Sequence, residues 1–94
     1  MSEYVIIETE ATDNPDVRVL HINQPLTLED EEVYDSVQAA EEDGSPLVQA
    51  VVFAVDGIAA LTVRPDYMVI TRQPDAIWEV LVDDMRDALR DFFL

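Results

Sequence analysis

The sequence predicts an α+β domain in two layers, a mostly antiparallel sheet with two main helices on one face. Three patterns carry that expectation. Runs rich in β-branched and aromatic residues come in pairs, residues 4–9 with 17–22 and residues 58–63 with 67–71, each pair joined by turn formers, which is how hairpins read. From Ala76 onward, Ile77, Trp78, Leu81, Val82, Met85, Leu89 and Phe92 recur at helical spacing, with Glu79, Asp83, Asp84, Arg86, Asp87, Arg90 and Asp91 largely opposite them. That is the pattern of an amphipathic helix. Ser45-Pro46 sets a capping hydroxyl before a ring suited to the first helical position, so a second helix starts there.

In chain order, residues 4–9 lead into Asp13-Asn14-Pro15-Asp16, a cluster whose side chains and ring favour a turn. Residues 17–22 then pair back as the second arm of a broad hairpin, with Val17, Val19 and Ile22 as its apolar positions, and Asn23-Gln24-Pro25 ends the strand. Residues 26–35 carry the acidic run Glu29-Asp30-Glu31-Glu32, after which Val33-Tyr34 reads as a short edge strand. Ser36 caps a short helical stretch over residues 37–42 that Gly44 closes. In the helix begun by Ser45, residues Leu47, Val51, Ala54 and Val55 fall at spacings of three and four. The valine-rich run 50–55 also suits a buried strand; the Ser-Pro start and the Gly57 stop decide for helix. Pro74-Asp75 opens the last helix, expected to begin near Asp75. No repeat or linker interrupts the chain, so residues 1–94 are read as one domain.

Composition excludes several functions. The chain is 49% apolar, enough to fold, and 21 acids against 5 bases give a net charge of -16. Such a surface repels phosphate backbones and anionic headgroups, which argues against nucleic acid and membrane surfaces as partners. With no cysteine, the chain offers no disulfide, no thiolate nucleophile and no thiolate for a cluster. Its longest unbroken apolar run, residues 50–55, falls short of the ~20 residues of a membrane helix. Met1-Ser2-Glu3 shows neither a basic region nor an apolar leader, so the cytoplasm is the expected compartment. All five bases are arginine. Two sources of that bias stay open, a surface suited to concentrated salt and a GC-rich genome.

No catalytic constellation can be assembled, and the chain is read as a non-enzyme. His21, the one histidine, has no nucleophile that spacing pairs with it, and reads as a surface or structural residue. The runs Glu29-Asp30-Glu31-Glu32 and Glu41-Glu42-Asp43 supply hard oxygen ligands but not the alternating acids and central glycine of a calcium loop, so they read as solvated faces. Trp78 is expected as a core anchor. Phe92, Phe93 and Leu94 either dock in the core, the favoured reading, or present an apolar patch.

Taken in order, Thr12-Asp13-Asn14-Pro15 with Arg18, Ser45-Pro46-Leu47, the stretch from Phe53 through Asp56-Gly57-Ile58, the stretch from Asp66 through Arg72, and Trp78 resemble the N-terminal domain of Nfu/NifU-like iron–sulfur cluster scaffold proteins. The resemblance covers nearly the whole chain and departs between Leu20 and Gly44 and at Val17-Arg18-Val19, where the family looks more like Leu-Lys-Phe. In full-length members a Cys-x-x-Cys motif in a separate C-terminal domain holds the cluster. The resemblance therefore implies no cluster-binding residue or cofactor here. It implies a standalone accessory or adaptor protein that binds a scaffold or target protein of cluster assembly. Its acidic face suits a basic partner, and Asp13, Asn14, Pro15, Asp16, Glu29, Asp30, Glu31 and Glu32 are the candidate contacts, since loops carry recognition. The alternative is a protein that holds iron transiently through its carboxylates.

Overall fold

A computed structural model of the chain describes residues 5–93. Five strands, β1 (Ile7–Ala11), β2 (Val17–Ile22), β3 (Glu32–Tyr34), β4 (Ile58–Val63) and β5 (Tyr67–Arg72), form one sheet in the order β1-β2-β5-β4-β3. Every neighbouring pair is antiparallel. Three helices, α1 (Val37–Asp43), α2 (Pro46–Ala54) and α3 (Trp78–Phe93), complete the domain. The α+β two-layer expectation holds, with α1, expected only as a short stretch, as a third helix.

Leu20, Ile22, Leu61, Val63, Met68 and Ile70 project from alternate positions of β2, β4 and β5 into one cluster with Ala40, Leu47, Val48, Val51, Val52, Trp78, Leu81, Met85, Ala88 and Leu89 of the helices. The helices therefore cover one face of the sheet. The register sets Glu10, Val19, Val69, Thr62 and Val33 in a row across the opposite face, where none of them is buried.

Start signals act where they were read. Ser36 Oγ accepts from Ala39 N–H at 3.1 Å, and Ser45 Oγ accepts from Val48 N–H at 3.5 Å with Pro46 at the first helical position. Gly44 ends α1, its N–H bonded to the Ala40 carbonyl at 2.9 Å. It must be glycine for lack of room: a Cβ there would run into the Ala40 oxygen and lie 2.8 Å from Val48 Cγ1.

Several boundaries and faces differ from expectation. β1 lies closer to the turn, and Tyr4 lies outside the described residues. On β2 the buried residues are Leu20 and Ile22, while Val17 and Val19 lie half-buried on the other face. Both parities of that strand carry apolar residues, so alternation alone could not choose. On α2, Val48 and Val52 are buried and Ala54 is exposed. Helix α2 caps at Val55, and Gly57, at φ 95°, serves the turn that follows. Helix α3 starts at Trp78, because a Gln73–Ala76 turn holds Pro74 and Asp75 first; its first bond runs from Leu81 N–H to the Ile77 carbonyl at 2.9 Å. Ile77 is consequently exposed.

Candidate functional site

The two groups of residues expected to meet a partner sit at opposite ends of β2. That strand is six residues long, about 20 Å end to end, and the loop that leaves it crosses to β3 at the far edge of the sheet, where Glu32 pairs with Val63. Helix α3 bridges the same distance, its first residue at the turn after β1 and its last turn at the loop before β3.

The turn end is held by its own polar groups. Thr12 Oγ1 accepts from the Asn14 N–H at 3.1 Å and lies 3.0 Å and 2.9 Å from the carbonyl oxygens of Asn14 and Val17, which share its hydrogen. Asn14 Oδ1 accepts from the Asp16 N–H at 2.9 Å, an Asx turn. Asp16 accepts twice from Arg72, at its carboxylate from Nε (3.0 Å) and at its carbonyl from the backbone N–H (2.8 Å), while Arg72 Nη1 reaches the Ala76 carbonyl at 3.0 Å. Trp78 Nε1 donates to the Pro15 carbonyl at 2.9 Å. The guanidinium carbons of Arg18 and Arg72 lie 5.3 Å and 5.6 Å from the Trp78 ring centroid, within cation–π range. Of the four candidates here, Asn14, Pro15 and Asp16 are engaged internally, and Asp13 faces solvent.

The loop end is arranged the other way. Leu26 is buried and donates its N–H to the Pro65 carbonyl at 3.0 Å, and Thr27 Oγ1 accepts from the Glu29 N–H at 3.0 Å. Between these two anchors Leu28 stands fully exposed, at 105% of the reference area. Below it runs a groove of about 750 Å³, lined by Pro25, Leu26, Leu28, Leu47 and Phe92, with Glu29, Glu32, Tyr34, Asp43 and Ser45 as its polar walls. Phe92 falls on the same stripe as Met85 but meets this groove and is 39% exposed. Phe93 packs against the core, 5.3 Å edge-to-face from Phe92. The favoured docking of the C-terminal aromatics therefore holds for Phe93 and fails for Phe92, and Leu94 lies outside the described residues.

Glu32 is the structural carboxylate of the groove. Burial pushes its pKa up, but hydrogen bonds from the Thr27, Tyr34 and Ser45 hydroxyls and the Ser45 backbone outweigh this, and the net shift is downward. The Tyr34 phenol, which donates to Glu32 Oε1 at 2.6 Å, is pushed up to about 12 by burial first and then by that bond and the carboxylate's charge. Glu31 is held by Arg64 at 3.1 Å. Glu29 and Asp30 are exposed, and no ion pair reaches Glu29, Asp30 or Asp43 among the described residues. His21 is exposed and bonds to Glu10 at 2.8 Å. No three of the His, Asp and Glu side chains among the described residues converge as a metal-ligand set, and no helix among them is long and apolar enough to cross a membrane.

The model of the family described as scaffold protein Nfu/NifU N terminal matches residues 7–94. The chain belongs to this family. Two mitochondrial relatives from Arabidopsis thaliana, NifU-like protein 4 and NifU-like protein 5, are 25% and 26% identical over 89 residues, which are 95% of this chain but 30% and 31% of theirs. The chain thus spans about three-tenths of the length of those relatives. Among solved structures, a NifU-like protein from Saccharomyces cerevisiae superposes with TM-score 0.72 at 16% identity, covering 94% of this chain and 77% of that one. Protein SAV1430 of Staphylococcus aureus gives 0.68 at 15%, covering 93% and 99%. These structures share the fold.

The residues on which the resemblance to Nfu proteins was read now have places. Thr12, Asn14, Pro15, Arg18, Arg72 and Trp78 gather at the turn end. Gly57 sits close by, where a Cβ would lie 2.9 Å from Ala76 Cβ and its carbonyl accepts from Gln73 N–H at 2.7 Å. Sequence reasoning missed Leu28, Tyr34, Asp43, Ser45 and Phe92 as parts of one surface. Leu28, set directly before the acidic run Glu29 to Glu32, was the available signal.

Proposed function

We propose that this Nfu N-terminal domain acts as a protein-binding adaptor of iron–sulfur cluster assembly, docking a scaffold or a cluster-accepting protein without holding a cluster or turning over a substrate. The observation that carries the reading is the family match across residues 7–94 in a sequence without a single cysteine. Cluster iron is normally held by thiolates, so what these residues offer to cluster assembly is a surface. The chain carries a net charge of -16, and a basic partner gains association rate and selectivity from that excess. Among the described residues no three carboxylates converge, so transient iron binding gains no support from their geometry.

Titrating the isotope-labelled protein with a cysteine-bearing scaffold domain from the same organism tests the proposal. Amide signals of one contiguous patch are expected to move, and added salt is expected to reduce the effect. If no scaffold, cluster donor or cluster acceptor perturbs the spectrum well above micromolar concentration, the adaptor reading fails. Stoichiometric iron and sulfide surviving gel filtration on this chain alone would overturn its cluster-free part.

A further inference from the structure

The adaptor reading leaves open which surface is used and what the partner must look like, and the loop end answers both. We propose that the groove between the loop before β3 and the α1–α2 junction is the docking site, and that its occupant is a segment of a partner protein carrying a large apolar side chain between basic residues. The proposal rests on the adaptor reading only for the partner's place in cluster assembly.

Apolar chemistry comes first. The groove holds about 750 Å³, room for one or two large side chains. Leu28 and Phe92 line it as exposed apolar residues. Leu28 is not exposed for want of order. The Leu26 N–H bond to Pro65, the Thr27 hydroxyl under the Glu29 N–H and the hydrogen-bonded Glu32 fix the chain on both sides of it. A leucine held in water by a pinned loop is free to close over an apolar side chain without first being ordered, which lowers the entropic cost of binding.

Charge selects the occupant. Glu29 and Asp43 flank the groove without an ion-pair partner among the described residues, and Glu32 adds a carboxylate kept ionised by its hydrogen bonds. A second copy of this chain would bring a net charge of -16 against the same acidic rim, so self-association is disfavoured. Anionic lipid and nucleic acid are repelled for the same reason. Arginine or lysine beside the apolar anchor would neutralise Glu29 and Asp43 as the anchor enters.

The test uses three synthetic peptides of equal length: leucines flanked by arginines, the same peptide with serines for the leucines, and leucines flanked by glutamates. Each is titrated into the labelled full chain. The leucine–arginine peptide is expected to move the amide signals of Leu28, Gly44, Ser45 and Leu47. Leu28→Ser is expected to weaken it about tenfold, and Glu29→Gln with Asp43→Asn to flatten its salt dependence. Phe53→Ser, which removes another highly exposed apolar residue, on α2 outside the groove, is expected to change nothing. Equal binding of the serine or the glutamate peptide overturns the proposal, as do shifts centred away from the groove, or groove signals that move with protein concentration alone. The scaffold domain is then titrated into wild type and Leu28→Ser. Equal binding to both keeps the adaptor and removes this groove; binding of the peptide with no response to any cluster-assembly protein keeps the groove and removes the adaptor's place in that pathway.

Discussion

The turn end and the loop end of β2 are both built from polar, acid-rich loops, yet they spend those residues in opposite ways. At the turn, Thr12, Asn14, Asp16 and Arg72 satisfy one another, and the Trp78 indole closes the assembly by donating to Pro15. At the loop, Glu29 and Asp43 are left to solvent, and Leu28 and Phe92 are exposed above a groove. Of the residues that carry the resemblance to Nfu proteins, Thr12, Asn14, Pro15, Arg18, Arg72 and Trp78 gather at the first end, while Ser45, Pro46 and Leu47 line the groove at the second. The second is built mainly from the stretch between Leu20 and Gly44, where the resemblance is loosest. The polar motif at the turn marks the architecture of this domain, and the unpaired acids and exposed apolar residues lie mainly where the resemblance is loosest.

The sharpest way to break this contrast is at Trp78, which is buried and ties α3 to the turn. Trp78→Ala should destabilise the fold by ~3–5 kcal/mol, combining lost packing with the loss of its bond to Pro15. Urea titration measures it, and a cost under about 0.5 kcal/mol, the ordinary surface range, would mean that the turn is not anchored as described. Thr12→Val keeps the shape and removes the hydroxyl that serves three backbone groups. Because the site is exposed, water can replace part of what is lost, and about 1–2 kcal/mol is expected.

How far these differences could be seen in advance follows from their range along the chain. Hairpins, caps and the stripe of α3 are written in residues a few positions apart, and they were legible. The buried face of β2 was not, because Val17 and Val19 are as apolar as Leu20 and Ile22 and only the tertiary register separates them. The acidic run from Glu29 to Glu32 looked like one patch, yet its members part company in space: Glu31 goes to Arg64 and Glu32 to Tyr34, Thr27 and Ser45. The groove has no local signature, since Leu28, Tyr34, Ser45 and Phe92 meet only when β3, α2 and the end of α3 have packed.

Salt probes the excess of acids over bases. The screening length falls from ~10 Å at 0.1 M to ~3 Å at 1 M, and the stronger screening weakens repulsion among 21 acids more than the few arginine–carboxylate attractions. The melting temperature should rise with sodium chloride. A flat or falling trend would show that the acids are locally compensated.

Tyr34 and Glu32 give the groove its own pH signature. The Tyr34 phenol has a pKa of about 12 in the fold against an ordinary 10.0, so the fold favours its protonated form. That contribution is complete below pH 10, and it is lost as pH rises through about 12. Glu32, lowered from 4.5, acts in reverse: its contribution is present above that value and lost as pH falls below it. Tyr34→Phe should therefore flatten the alkaline limb of the stability profile relative to wild type. Equal alkaline slopes in the two proteins would show that burial and the Glu32 carboxylate do not hold the phenol in its protonated form.

The smallest effect is expected at Leu28, and its smallness is what gives it meaning. A side chain exposed at 105% has little packing to lose, so Leu28→Ser should change stability by no more than ~0.5 kcal/mol. Thr12 is likewise exposed, yet Thr12→Val is expected to cost more, because the threonine hydroxyl is engaged internally and the leucine is not. Measured side by side by urea unfolding, the two variants separate a loop that the fold needs from a loop that it merely carries. A Leu28→Ser cost approaching that of Thr12→Val would place the leucine among the packed residues of the fold and erase the difference between the two ends of β2.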